Sequence, residues 1–158
     1  KFSDPLMPDN NMISAARIAQ AQEFIDKMEQ GYQSPISRGG SNVSGGQKQR
    51  LSIARALAGE PQVLLFDDSF SALDFITDAK LRKALEAQRQ NATVLVVAQR
   101  ISTVLHADRI VVLDAGQVVA QGTHEELMRG SDVYRQIASS QLKTEELSLK
   151  DSDAGEEE

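Results

Sequence analysis

Val63-Leu64-Leu65-Phe66 is an unbroken apolar run of strand length that stops at two carboxylates, Asp67 and Asp68. A run without polar alternation has no face for water, so it reads as a strand buried on both faces. Such strands belong to parallel sheets covered by helices. Residues 93–98 read as a second buried strand. A helix over about 74–89, with Leu81, Ala84 and Leu85 on one side, joins the two. Further on, the pattern predicts a short helix near 102–106 and two strands, 109–113 and 117–120, separated by a turn at Ala115-Gly116. Thr123-x-x-Glu126 is a capping box that opens a helix to about Met128, and 131–142 makes the last helix. This alternation from residue 62 onward predicts an α/β fold built on a parallel sheet with right-handed crossovers.

Upstream the periodicity is helical. Ile13, Ala16, Ile18, Ala19, Phe24, Ile25 and Met28 recur at roughly helical spacing, and Gly31 supplies a stop. A polar loop follows over 31–43, punctuated by Pro35 and Gly39-Gly40. Ser44-Gly45-Gly46-Gln47 then matches an S-x-x-Q capping box, and Leu51, Ile53, Ala54 and Leu57 give the helix behind it an apolar side, until Gly59 and Pro61 end it. The expected organisation is a helical part (1–60), a strand-and-helix part (61–142) and an acidic tail (143–158). The tail holds seven acids against two lysines and is expected to be disordered. No internal repeat is found.

Composition narrows the function. The 158 residues carry a net charge of −6, so nucleic acid and anionic membrane surfaces gain no electrostatic support as partners. There is no cysteine, which removes disulfides, Cys-ligated metals and thiol catalysis. His106 and His124 are too isolated for a His-rich metal site. No segment approaches the roughly 20 apolar residues of a membrane span, and no signal-peptide pattern opens the chain.

Two local patterns carry chemistry. Ligands of open α/β sheets collect beyond the carboxyl ends of the strands, where Asp67 and Asp68 stand, and paired acids there suit Mg²⁺ and phosphate work. The bland reading is that these residues only end a strand. At Ser44–Gln47, a helix start with free N–H groups, two glycines and a hydroxyl can grip a phosphate. There the bland reading is a capping box and nothing more.

Taken together, the patterns resemble ATP-binding-cassette (ABC) ATPases. Residues 43–50 (Val-Ser-Gly-Gly-Gln-Lys-Gln-Arg) look like the family's signature motif, and 51–57 like its signature helix. Val63 to Asp68 resembles the Walker B strand, and Ser71-Ala72-Leu73-Asp74 the D-loop. Residues 98–104 resemble the switch loop of exporters, and 122–127 an exporter ending. Only fifteen residues separate Gln47 from Val63, which fits a transporter cassette; repair and chromosome-maintenance ATPases insert a long coiled coil there.

The departures are specific. No G-x-x-x-x-G-K-[ST] phosphate loop occurs in the chain, nor does the family's Q-loop glutamine. The expectation is that the first half of the cassette lies outside this sequence, or that the gene is truncated. Asp68 stands where active members carry Glu, which sets its carboxylate about 1.5 Å back from an attacking water. Gln99 stands where the switch loop carries His, and a carboxamide cannot ionise. The loop 34–40 lacks an acid that exporters often use against their membrane domain.

The resemblance implies a helical signature subdomain followed by the distal half of a RecA-like sheet, a P-loop NTPase fold lacking its P-loop half. ATP and Mg²⁺ are the implied cofactors. Asp67 would hold Mg²⁺ through water, with Asp68 and Gln99 as the catalytic pair. Ser44, Gly45, Gly46 and Gln47 would close in trans over the ATP of a second, head-to-tail cassette. Ser71, Ala72, Leu73 and Asp74 would communicate between sites. Arg50 and Arg55 would pack their stems along the signature helix. The weakened catalytic pair beside an intact signature resembles the degenerate half of a heterodimeric exporter, whose membrane domain is usually fused upstream. That places the whole protein at the cytoplasmic face of a membrane, with this chain itself soluble and inactive alone. The rival reading is a non-catalytic interaction module derived from a truncated cassette.

Overall fold

The computed structural model describes residues 6–86 and 92–141, and the acidic stretch 143–158 lies outside them. The chain divides into two compact units, Lys1–Val97 and Ala98–Glu158.

In the first unit, α1 (Asp9–Ile18) packs along α3 (Gly45–Ala58), with α2 (Gln22–Asp26) between them in sequence. Ala15 and Ala16 of α1 are buried, as are Ala19 and Ala21 just after it, small side chains that suit close packing. The helical pattern over 13–28 is not one helix. It breaks at Gln20, whose φ is +56°, and the freed carbonyl of Gln20 accepts a bond from Arg50 Nη1 at 2.9 Å. Arg50 also lies over the Phe24 ring at 4.9 Å, a cation–π contact that ties α3 to α2. The polar loop holds two single 3₁₀ turns, Gly31–Gln33 and Arg38–Gly40.

β1 (Val63–Asp67) and β2 (Thr93–Val97) pair in parallel, from Val63↔Thr93 to Asp67↔Val97. Between them α4 (Phe75–Glu86) buries Leu81 and Leu85; the expected continuation to residue 89 lies outside the described residues. β1 is not buried on both faces. Leu64 and Phe66 are core, whereas Val63 and Leu65 are 64% and 63% exposed. Leu95 and Val97 of β2 are exposed too. A parallel sheet ordinarily has helices on both faces, and here one apolar face is bare.

The second unit contains α5 (Ile101–Val104), β3 (Ile110–Asp114), β4 (Gln117–Gly122), α6 (His124–Gly130) and a helix α7 over 132–141. β3 and β4 do not extend a parallel sheet, as the strand–helix alternation predicted. They form their own antiparallel pair. The reason is geometric: the connection is Ala115-Gly116, both at positive φ (+47° and +77°), a two-residue hairpin turn, and no parallel crossover is that short. Tyr134 is buried in this unit, with its hydroxyl 2.8 Å from His124 Nδ1. Among the described residues no helix is long and apolar enough to cross a membrane.

Candidate functional site

The start of α3 is a complete capping box. Ser44 Oγ accepts the Gln47 N–H at 3.2 Å, and Gln47 Oε1 accepts the Ser44 N–H at 2.9 Å. α6 begins with the same device built from Thr123 and Glu126. The two starts differ in charge. α6 carries Glu125 and Glu126 in its first turn, and α3 carries no acid there. Acids at a helix N-terminus offset the positive end of its dipole. In α3 a neutral carboxamide does the capping, no first-turn acid offsets the positive end, and Ser44 and Gly45 are exposed there. That is the electrostatic form of an anion-facing helix start.

The loop after β1 is fastened to this helix. Asp68 has φ +47°, a left-handed conformation that Asp tolerates better than most side chains, and its N–H reaches the Val97 carbonyl at 3.3 Å. Gln49 then binds the loop three ways. Its Oε1 accepts the Ala72 N–H at 2.9 Å, and its Nε2 donates to Ser71 Oγ at 3.2 Å and to the Asp68 carbonyl at 3.4 Å. Gly46 lies under the same loop: a Cβ added there would meet the Ala72 carbonyl oxygen at 3.0 Å. The absence of a side chain at Gly46 thus also serves the close approach of the loop backbone. Asp74 ends the loop by accepting the Thr77 N–H at 2.9 Å, a bond that holds its carboxyl below the usual carboxylate range.

The first unit therefore brings together Ser44–Gln47, Asp68 and Ser71–Asp74, with Leu73 buried and the others at or near the surface. Asp67 is exposed at the end of β1. Gln99 lies in the second unit, exposed, and its carbonyl accepts a bond from Gln141 Nε2 at 2.8 Å. Gln141 Oε1 also accepts the Ile101 N–H at 2.8 Å, so α7 holds the backbone on either side of Arg100, just after Gln99. Sequence reasoning missed Gln49 and Gln141. Each is an unremarkable polar helix residue whose partners lie 19 to 23 and 40 to 42 residues away.

Among the described residues no group of three or more His, Asp or Glu could hold a metal ion as a protein cage. Mg²⁺ is seldom held so; it keeps waters and takes one or two carboxylates plus substrate phosphates. The exposed Asp67 fits that mode.

Residues 3–71 match the ABC transporter family. The chain is 42% identical over 128 residues to the leukotoxin export ATP-binding protein LtxB of Aggregatibacter actinomycetemcomitans, a match over 81% of this chain and 18% of that protein. It is 41% identical over 142 residues to the leukotoxin translocation ATP-binding protein LktB of Mannheimia haemolytica, covering 89% of this chain and 20% of the relative. Its fold is similar to that of a bacterial Atm1-family ABC exporter solved with ATP bound, with a TM-score of 0.84 and 34% identity over 89% of this chain and 25% of the exporter. The chain thus spans about a fifth of the length of these relatives. With the signature-like helix start, the strand ending in Asp67 and the loop fastened between them, the chain belongs to the ABC transporter family, on the side of its exporter ATP-binding proteins.

Proposed function

We propose that this chain is the distal part of the ATP-binding domain of an exporter, working at the cytoplasmic face of a membrane with a transmembrane domain and a second cassette. The observation that carries the reading is the start of α3: capped without charge, free of first-turn acids, and joined to the loop 68–74. In this reading residues 1–60 form the helical signature subdomain and 61–142 the catalytic distal half. Ser44, Gly45, Gly46 and Gln47 face the γ-phosphate of an ATP held by the partner cassette, where backbone N–H groups and the helix dipole stabilise negative charge. Mg²⁺, when bound, would supply positive charge against the negative charge of the phosphates.

Of the chain's own residues, Asp67 is the carboxylate that would hold Mg²⁺ through water. Asp68 orients a water for attack but, one methylene short of Glu, activates it poorly. Gln99 donates a hydrogen bond to the γ-phosphate and takes no proton. This division, a weak site of its own and a full signature for its partner, supports a heterodimeric pair. No phosphate loop lies in this sequence, so the 158-residue chain alone is expected to bind MgATP very weakly and to hydrolyse none.

Gln47→Glu in the full-length subunit, assembled with its partner, tests the reading. A Glu at this position keeps the capping box, as Glu126 does in α6, and adds an acid to the dipole's positive end. Melting temperature is expected to hold or rise while ATPase falls at least tenfold. Unchanged ATPase would leave Ser44–Gln47 as a capping box alone.

A further inference from the structure

We propose that Gln49 is a positioning residue that makes the start of α3 and the loop 68–72 one rigid block, so that Ser44–Gln47 and Ser71–Asp74 are presented to a partner cassette in fixed register. The proposal rests on the reading of Ser44–Gln47 as a nucleotide-facing element. It goes beyond that reading by naming a residue that touches no nucleotide.

The geometry is unusually complete for one side chain. Gln49 sits a little over one turn beyond the cap, on the flank of α3 that meets the loop. The Ala72 N–H can only donate, which settles that the amide oxygen points to Ala72 and the amide nitrogen to Ser71 and Asp68. Ser71 Oγ in turn donates to the Asp68 carbonyl at 3.0 Å, so the bonds from Gln49 Nε2 fall on two groups that are already joined. Gly46 leaves the space that lets Ala72 come close enough to reach Gln49.

Few other side chains do this work. Asn is a methylene too short to span the gap from α3 to the loop. Glu keeps an acceptor for the Ala72 N–H but has no donor for Ser71 or Asp68. Met keeps the length and offers no hydrogen bond of use. Without the amide, the three hydrogen bonds from Gln49 to the loop are lost, and only apolar packing, including that of the buried Phe70 and Leu73, joins it to α3. The element that faces one nucleotide then moves independently of the left-handed Asp68 serving the other.

The test uses the full-length subunit assembled with its partner, comparing Gln49→Met and Gln49→Glu with wild type for ATPase kcat, KM for MgATP and melting temperature. Both variants are expected to lower kcat at least fivefold while KM stays within twofold and melting within about 3 °C. Gln49→Glu keeps the 2.9 Å bond to Ala72 and remains informative if Gln49→Met fails to fold. Amide exchange at Ala72 should quicken in Gln49→Met and stay slow in Gln49→Glu. The proposal is overturned if kcat stays within twofold in the folded variants, or if kcat falls only in step with a large drop in melting temperature or a matching rise in KM. If Gln47→Glu loses activity while the Gln49 variants keep it, this proposal alone is wrong. If all three keep it, the reading beneath is wrong as well.

Discussion

The position of a Cβ on Gly46 lies 3.0 Å from the carbonyl oxygen of Ala72, whereas on its neighbour Gly45 it meets only the Ala72 methyl at 4.0 Å. Replacing Gly by Ala within a helix ordinarily stabilises by about 0.5–1 kcal/mol. Gly45→Ala should show that gain or be neutral. Gly46→Ala should lose about 1 kcal/mol relative to it, because the loop must move off α3. Denaturation midpoints of the two variants measure the difference, and equal midpoints would mean the loop yields freely.

Asp68 and Gln99 predict a partial recovery of catalysis. In the full-length subunit paired with its partner, Asp68→Glu should raise ATP turnover modestly, and adding Gln99→His should raise it further. The longer side chain enters a left-handed residue, at φ +47°, so stability should fall by less than about 1 kcal/mol. Steady-state ATPase decides the matter: if the double variant matches wild type, turnover is limited outside these two residues.

Asp74 predicts an acid-sensitive helix start. Its pKa is lowered chiefly by the bond from the Thr77 N–H, so its folded value lies below the unfolded one. The stabilisation is therefore full above the unfolded pKa and is lost as pH falls through the folded pKa. Asp74→Asn keeps an acceptor for Thr77 and removes the titration. The variant should flatten the acid limb of unfolding, read as amide exchange at Thr77 between neutral pH and the range below ordinary carboxylate titration. A limb as steep as wild type would refute the assignment.

Asp78 is 2% exposed, and one carboxylate oxygen pairs with Arg82 Nη2 at 2.9 Å. Its other oxygen has no partner among the described residues. Arg82→Ala strands the carboxylate and should cost about 2–4 kcal/mol, at or below the usual range for a broken buried pair because Arg82 is partly exposed. Replacing both residues with Leu should cost less than Arg82→Ala alone. Urea unfolding of the two variants gives the comparison.

Much of this chain can be read from local pattern, and the parts that cannot have separate physical causes. The capping boxes at Ser44 and Thr123, the strand at Val63–Asp67 and the helix after Asp74 depend on residues within a few positions of one another, and all are present. The break at Gln20 has no Gly or Pro to announce it; Arg50, thirty residues on, takes up the carbonyl it frees. The contacts of Gln49, to partners 19 to 23 residues on, go unmarked for the same reason. The hairpin at Ala115-Gly116 differs: its two-residue turn is local and legible, and it makes β3 and β4 antiparallel whatever the strand–helix alternation around it. The bare sheet face was hidden because every position of Val63–Phe66 is apolar, so no alternation marked which side the chain itself covers.

That face splits the meaning of mutations along a single strand. Leu64 and Phe66 are enclosed by this chain, so truncating either should change how the chain folds. Val63 and Leu65, one residue away, contribute little to that equilibrium. A lysine at Leu65 would be nearly silent in the chain alone and would register only when something must close over the sheet. Neighbouring residues of β1 thus report on two separate processes, folding and assembly, and scanning the strand one position at a time would read them alternately.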